Sequence, residues 1–178
     1  MRFAPHQNIK RFRLLAVLLA LFALLIPHFL NRNRSLPIGA GKLYFAQAPS
    51  TSYYGQQFQL ELRVRSLVSP INAAGIYLTY NPKAFDIIKM TTDQSFCTFY
   101  TENTFDTIKG EVRLSCGIPH PGFSGDSTLL TLQVRSKATG KYSFTLSPSE
   151  TLILADDGKA SPLRLTIPTY NVTVIPST

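Results

Sequence analysis

The residues from Gly55 to Asp86, with the sequence GQQFQLELRVRSLVSPINAAGIYLTYNPKAFD, contain an unbroken nine-residue alternation of apolar and polar side chains. The alternation covers residues 57–65, and its apolar positions are Phe58, Leu60, Leu62 and Val64. Successive side chains on a β-strand point to opposite faces of a sheet. The pattern therefore predicts a strand with one apolar face and one solvent-facing face.

A second alternating run follows in the same stretch, with apolar positions at Ala74, Ile76, Leu78 and Tyr80. Pro70 is predicted to end the first strand, and Asn81-Pro82 is a turn signal that ends the second. Two half-buried strands need a second apolar layer, which the rest of the chain is expected to supply.

The remainder of the chain is a succession of short strand patterns separated by turn signals. The further predicted strands are residues 42–49, 85–90, 96–100, 111–116, 128–135, 141–146 and 151–154, with the last strand inside 163–174. Residues 50–55, 103–110 and 118–126 are predicted to be turns or loops. About nine short strands without helical periodicity predict an all-β antiparallel sandwich or jelly roll.

Charge is distributed unevenly along the 178 residues. Residues 1–41 carry a net charge of +6 with no acidic residue, whereas residues 42–178 carry +2. A nucleic-acid-binding domain needs a basic patch on the domain itself. We therefore expect no nucleic-acid partner, and we expect residues 42–178 to form one domain with a core of its own.

The N-terminal region has the organisation of an export signal. Residues 1–13 form a basic tail, residues 14–30 an apolar segment of 17 residues, and residues 31–41 a linker. We interpret the segment as one uncleaved signal anchor, a transmembrane helix; a cleaved signal peptide and a buried core helix are the alternatives. The Lys/Arg bias slightly favours an extracytoplasmic C-terminal domain at the cell membrane, which would be secreted if the segment is cleaved.

The two cysteines, Cys97 and Cys116, fall in neighbouring predicted strands. An exported domain permits oxidation, and antiparallel neighbours bring such positions within bonding distance. We predict a disulfide, with two free buried thiols as the alternative. Neither cysteine has a histidine at metal-ligand spacing, so no metal site is predicted.

The sequence offers little for catalysis. His120 is the one histidine of the domain, and it lies in a loop between two prolines. Asp156-Asp157-Gly158 resembles part of a calcium loop but is better explained as a turn between strands. Glu102 and Asp106 could form an acid–base pair, yet nothing nearby would tune them. We predict that the protein is not an enzyme and uses no cofactor.

What remains is a surface. If the apolar positions of each alternating strand face the core, the other side of one sheet exposes aromatic and arginine side chains together with small hydroxyls. Such a surface suits a recognition face. The predicted binding face consists of Tyr77, Thr79, Phe96, Thr98, Tyr100, Arg113, Ser115, Ser143 and Thr145.

The succession of patterns resembles the cohesin family, the β-sandwich modules of bacterial cellulosome scaffolds, whose fold is related to certain carbohydrate-binding modules. The resemblance covers most of residues 42–178, although the family usually has Tyr-Asp-Pro where this chain has Tyr80-Asn81-Pro82. It is carried by GQQFQLELRV at 55–64, GIYLTYNP at 75–82, KGEVRLSCG at 109–117, PGFSGDSTLLTLQVRSKATG at 121–140 and LILADDG at 152–158.

The resemblance implies a nine-stranded jelly roll that holds a dockerin on the sheet face formed by the family's strands three, five, six and eight. In this chain those strands would carry the predicted binding face. The dockerin would bring its own calcium. We therefore expect a membrane-anchored extracellular module that docks a protein partner non-covalently, possible settings being polysaccharide-degrading or surface-attachment assemblies. The alternatives are a carbohydrate-binding module with a glycan ligand and a structural cell-envelope or appendage subunit.

Overall fold

The computed structural model describes residues 39–177, and this part of the chain is all-β, as predicted. It contains no helix that is long and apolar enough to cross a membrane. The predicted basic tail, apolar anchor and most of the linker lie outside the described residues. The strands are β1 (Ala40–Ala46), β2 (Thr51–Tyr53), β3 (Gln57–Thr79), β4 (Phe85–Thr91), β5 (Phe99–Asp106), β6 (Glu111–Gly117), β7 (Phe123–Ser136), β8 (Gly140–Leu146), β9 (Leu152–Ala155), β10 (Arg164–Thr166) and β11 (Thr169–Ile175).

The strands form two layers that share β3. The back sheet has the order β10-β1-β3-β7-β4 and uses residues 57–66 of β3. The front sheet contains β5-β6-β3-β8-β11-β2 and uses residues 71–79 of β3, with β9 beside the first part of that segment. The β1–β10 and β2–β11 pairs are parallel, and the other pairs are antiparallel.

The core lies between the two sheets and follows the predicted alternation. Leu60, Leu62 and Val64 from the back sheet are fully buried, as is Leu78 from the front sheet. The ring of Phe85 on β4 lies 5.0 Å from that of Phe144 on β8, which joins the two layers directly. Burial on the inner face of each strand thus accounts for the period of two in the sequence.

The prediction that Pro70 ends the first strand is wrong. β3 runs through Pro70, and its register with β7 shifts between Ser66 and Ile71. The strand passes from one sheet to the other at this bulge, so the proline nitrogen is not needed for a ladder hydrogen bond.

Three further boundaries differ from the predictions. The predicted turn at 50–55 contains the short strand β2, and the first half of the predicted loop at 103–110 belongs to β5. β7 begins at Phe123, inside the predicted loop at 118–126. β2 and β5 are edge strands that bury little apolar surface, so their hydrophobic pattern is weak.

The predicted disulfide between Cys97 and Cys116 is formed, with the two Cα atoms 5.8 Å apart. Cys97 lies just before β5, and Cys116 lies on the inner side of β6, where both are buried. The bridge therefore ties the edge of the front sheet to the core.

Glu61 is an unexpected buried charge. The alternation placed it on the solvent-facing side of β3, yet the residue is only 5% exposed. Its carboxylate accepts hydrogen bonds from Arg63 Nη1 at 2.8 Å and from the Thr128 hydroxyl, which cover it on the outer face of the back sheet. A buried carboxylate needs such partners to offset the loss of hydration.

Candidate binding face

The outward side of the front sheet is called the front face below. Strand pairing places residues from distant parts of the sequence side by side on it. Tyr77 on β3 lies opposite Arg113 on β6, which in turn lies opposite Thr104 on β5. Residues directly opposite one another share a face of the sheet. The adjacent rows are Gly75, Ser115 and Glu102 on one side, and Thr79, Glu111 and Asp106 on the other.

Arg113 occupies the centre of the front face. Its guanidinium carbon lies 4.1 Å from the centroid of the Tyr77 ring, a cation–π contact. The guanidinium also lies 3.8 Å from a carboxylate oxygen of Glu111 and 3.8 Å from one of Glu150. These three neighbours limit the rotamers that Arg113 can adopt, so less entropy is lost when a ligand immobilises it.

Tyr77 is held as a neutral phenol. The hydrogen bond to the Glu111 carboxylate is the largest influence, and it raises the pKa of Tyr77. Because its one O–H proton is donated to Glu111, Tyr77 offers a partner its half-exposed ring and an acceptor oxygen at physiological pH.

An apolar strip lies beside this polar centre. The Phe99 ring, 52% exposed, lies over Gly117, and Leu152 on β9 is 43% exposed beside Gly75. A Cβ atom on Gly117 would overlap the Phe99 ring, so glycine is needed to keep this part of the face flat. The strip offers apolar area without forming a pocket.

Small hydroxyl residues continue the front face toward β8 and β11. Thr79 donates its hydroxyl to the Thr145 carbonyl oxygen at 3.3 Å, which links β3 to β8. Farther along, an open cavity of about 450 Å³ is bordered by Lys141, Ser143 and Asn171, among others.

Seven of the nine predicted face residues lie on or beside this surface. Thr98 precedes β5 and is exposed, and its amide donates to the Gly117 carbonyl at 2.9 Å. The other six are Tyr77, Thr79, Arg113, Ser115, Ser143 and Thr145, all half-buried or exposed.

The prediction that Phe96 and Tyr100 lie on the binding face is wrong. Phe96 is 8% exposed and stacks on Phe123 at a centroid distance of 4.8 Å, because it precedes β5 and points into the core. Tyr100 lies opposite the inward Cys116, and its hydroxyl lies within 3.4 Å of the Cys97 carbonyl oxygen. A register shift at Thr101 puts Glu102, not Tyr100, in phase with the front face.

Several residues of the front face were missed by the sequence prediction. Glu111 was within reach, since alternation along β6 places it with Arg113 and Ser115. Three others could not be predicted from alternation. A loop brings Glu150 to the face, a bulge in β5 brings Phe99 there, and the pairing of β9 with β3 brings Leu152 there.

The other candidate groups form structural contacts. Asp157 accepts hydrogen bonds from the backbone amides of Lys159 and Ser161, and its hydrogen bonding, chiefly with Ser161, lowers the pKa of Asp157 to about 2. His120 Nδ1 lies 2.8 Å from Asp156 Oδ2 on an exposed loop. Within residues 39–177, no cluster of three or more acidic, histidine or cysteine side chains has metal-binding geometry.

Comparisons with known proteins bear on the fold. No family model and no curated protein matches the chain. The seventh ScaB type I cohesin of Pseudobacteroides cellulosolvens matches with a TM-score of 0.65 and 12% identity, covering 79% of this chain and 96% of the cohesin. A type I cohesin–dockerin complex from Clostridium thermocellum, containing the OlpC cohesin, matches with a TM-score of 0.63 and 15% identity, covering 80% and 98%.

A third match comes from outside cellulosomes. The non-cellulosomal cohesin of the archaeon Archaeoglobus fulgidus has a TM-score of 0.60 and 11% identity, covering 77% of this chain and 92% of that one. The domain therefore has a cohesin-like fold, in agreement with the resemblance found in the sequence.

Proposed function

We propose that the protein is a non-catalytic binding module that docks a protein partner of dockerin type on its front face. The observation that carries the proposal is the Arg113 cluster, in which Tyr77, Glu111 and Glu150 hold an arginine in place at the centre of a flat sheet face. Arginine and tyrosine are the residues most often found at the energetic centre of protein interfaces. The cohesin-like fold, which in the OlpC complex accompanies a dockerin, supports the same assignment.

The charge of the front face indicates the chemistry of the partner. Three carboxylates, those of Glu102, Glu111 and Glu150, lie around the guanidinium of Arg113, which leaves a local excess of negative charge at the centre of the face. Asp106 is ion-paired with Lys109, and Lys141 lies farther along the face. The excess of negative charge favours a partner surface with lysine or arginine around an apolar centre, since complementary potentials accelerate and orient docking. The apolar centre would rest on Phe99 and Leu152.

Titration calorimetry with a panel of dockerins tests the proposal. We expect Arg113→Ala to weaken binding by about 2 kcal/mol, roughly thirtyfold in Kd. Arg135→Ala is the matched control, because Arg135 is an exposed, ion-paired arginine on the back sheet. Binding that survives Arg113→Ala, or that is lost equally in both variants, would contradict docking on the front face.

A chelator adds a second readout. A dockerin-type partner brings its own calcium in the family that the sequence resembles, so chelation should abolish binding without unfolding this domain. Capture of polysaccharide instead, insensitive to chelator, would move the assignment to carbohydrate binding. Of the two tyrosines in the predicted binding face, the inward position of Tyr100 leaves Tyr77 to stack on a sugar ring if the ligand is a glycan.

The proposal includes attachment to the cell membrane through residues 14–30, with the domain extracytoplasmic. The disulfide between Cys97 and Cys116 supports an oxidising compartment. We expect the full chain to resist alkaline extraction from membranes and the domain to be digested by protease added to spheroplasts. A protease-protected domain in intact spheroplasts would contradict this placement.

A further inference from the structure

We propose that the end of the sandwich at which β1 begins makes a second membrane contact, with Leu67 and Val68 entering the headgroup region of an anionic bilayer. The inference rests on the proposed anchoring by residues 14–30. It adds to that anchoring an orientation of the domain, which the anchor alone would not set.

The contact is a fixed apolar protrusion on β3. Ser66 pairs with Gly125 and Ile71 with Phe123, so four residues of β3 bulge out against one residue of β7. Leu67 and Val68 lie in this bulge and are 73% and 82% exposed. The Ser66 hydroxyl donates to the Ser69 carbonyl oxygen at 2.6 Å and closes the bulge. Two adjacent apolar side chains are thus held in water with no partner in residues 39–177 that covers them.

The chain enters the domain beside this protrusion. Gly39 lies against Ser69, so closely that a Cβ atom on Gly39 would overlap the serine hydroxyl. Eight residues separate Leu30, the end of the apolar segment, from Gly39. Eight residues reach at most about 28 Å. A tether this short keeps the protrusion at high effective concentration near any membrane that holds residues 14–30.

Charge at this end of the sandwich favours anionic lipids. Lys42, Lys159 and Arg164 are exposed and form no ion pair within residues 39–177. Each basic residue close to a negatively charged leaflet adds attraction to the surface.

The carboxylates at the same end are already occupied. Arg63 and Arg65 bind Asp126, the Lys159 and Ser161 amides bind Asp157, and Asp156 contacts His120. Repulsion of lipid phosphates by these carboxylates is therefore reduced relative to free carboxylates.

The opposite end of the sandwich supplies a matched comparison. Ile108, in the turn between β5 and β6, is apolar and 87% exposed, like the protrusion. β3 reaches this end at Thr79, which pairs with Glu111 next to the turn. The front face runs along the side between the two ends, so the proposed contact leaves it open to a partner.

The experiment uses the full chain in vesicles of phosphatidylcholine and phosphatidylglycerol. Val68→Cys and Ile108→Cys variants are each labelled with an environment-sensitive fluorophore, since the two native cysteines are joined in the disulfide. We expect brominated lipids to quench the label at 68, at a depth of about 5–10 Å into the boundary between headgroups and acyl chains. The label at 108 should stay in water and remain unquenched.

The outcomes separate the contact from the anchor. A chain that floats with the vesicles but leaves the label at 68 in water overturns the contact and leaves the anchor standing. A chain that does not float overturns both. Quenching at both positions indicates non-specific adsorption and overturns the orientation. A blue shift of the label at 68 that appears only at a high protein-to-lipid ratio would overturn the membrane contact and assign the protrusion to a second copy of the chain. Equal quenching in vesicles of phosphatidylcholine alone would overturn the preference for anionic lipids.

Discussion

At the scale of single residues, the outer face of the back sheet is organised by Asp126. Its carboxylate accepts hydrogen bonds from the Tyr44 hydroxyl at 2.7 Å, from Arg63 Nε at 3.0 Å and from Arg65 Nε at 2.6 Å. Lys42 and Arg65 lie directly opposite each other on β1 and β3, a repulsive pairing. Asp126 offsets that repulsion, and it therefore contributes to the stability of three neighbouring strands.

This arrangement predicts a pH-dependent contribution to stability. Burial opposes the charged form of Asp126, but the hydrogen bonds from Tyr44, Arg65 and Arg63 lower its pKa from 3.8 to about 2. A carboxyl group whose folded-state pKa is depressed stabilises the fold above the unfolded-state pKa, and this stability is lost as pH falls toward the folded-state value.

We therefore expect Asp126→Asn to lower the free energy of unfolding by about 1 kcal/mol at pH 7, a value reduced by partial solvent screening. The difference should be much smaller near pH 2, where the folded-state carboxyl group is about half protonated, and urea denaturation at the two pH values checks it. Asp93→Asn, at an exposed carboxylate, is the control and should change little at either pH. An Asp126→Asn defect of equal size at both pH values would contradict the ionic origin.

Two glycines with the same backbone geometry should respond differently to substitution. Gly55 and Gly110 have φ angles of +79° and +73°. A Cβ atom on Gly55 would meet no atom within 4 Å, whereas one on Gly110 would overlap the Tyr80 carbonyl oxygen. Gly55→Ala should cost about 1 kcal/mol of stability from backbone strain alone. Gly110→Ala should cost clearly more in the same denaturation assay, and equal losses would show that the overlap is relieved without cost.

At the scale of elements, β3 determines how the two sheets are joined. Its residues 57–66 belong to the back sheet and 71–79 to the front sheet, with the bulge between them. One strand thus contributes inward side chains to both layers. The bulge that allows this change of sheet also creates the Leu67–Val68 protrusion, so an architectural feature and a proposed contact have the same origin.

The β5–β6 edge depends on the disulfide. β5 pairs with β6 alone among the described strands, and Cys97 and Cys116 close a loop with a sequence separation of 19 residues. Replacing both cysteines by serine should lower the free energy of unfolding by about 3 kcal/mol, since the unfolded chain is no longer constrained. Adding reductant to the native chain should reproduce the loss, and a double variant as stable as the oxidised chain would contradict it.

At the scale of the whole molecule, the two sheets share one core and should unfold together. Leu62 is buried in the back sheet and Phe144 in the front sheet. Leu62→Ala should cost about 2–5 kcal/mol and Phe144→Ala about 3–5 kcal/mol. Both should shift one transition that far-UV circular dichroism and tyrosine fluorescence report at the same urea concentration. Separate transitions for the two probes would show that the sheets are independent.

The placement of the two ends of the domain matters for the proposed function. The chain enters at Gly39 beside the β3 protrusion, whereas Ile175 lies at the other end, where its carbonyl accepts a hydrogen bond from the Tyr54 amide at 2.8 Å. The front face lies along the side between them. If residues 14–30 anchor the chain as proposed, a membrane contact at the Gly39 end leaves the front face uncovered.

Local sequence was sufficient for the fold class, the core and the disulfide. Residues 57–65 and 74–80 alternate because each strand buries one face. This period of two does not depend on which strands lie next to it. The order of turn and strand patterns was also sufficient to identify a cohesin-like fold, which the solved cohesins match at 10–16% identity.

The composition of the front face depended on the folded structure. The bulge at Thr101 turned Tyr100 inward and brought Phe99 out, and a loop brought Glu150 to Arg113. A bulge changes which side chains face outward without altering the hydrophobic pattern that a short edge strand displays. Contacts between residues distant in the chain follow from strand pairing, which local periodicity does not encode.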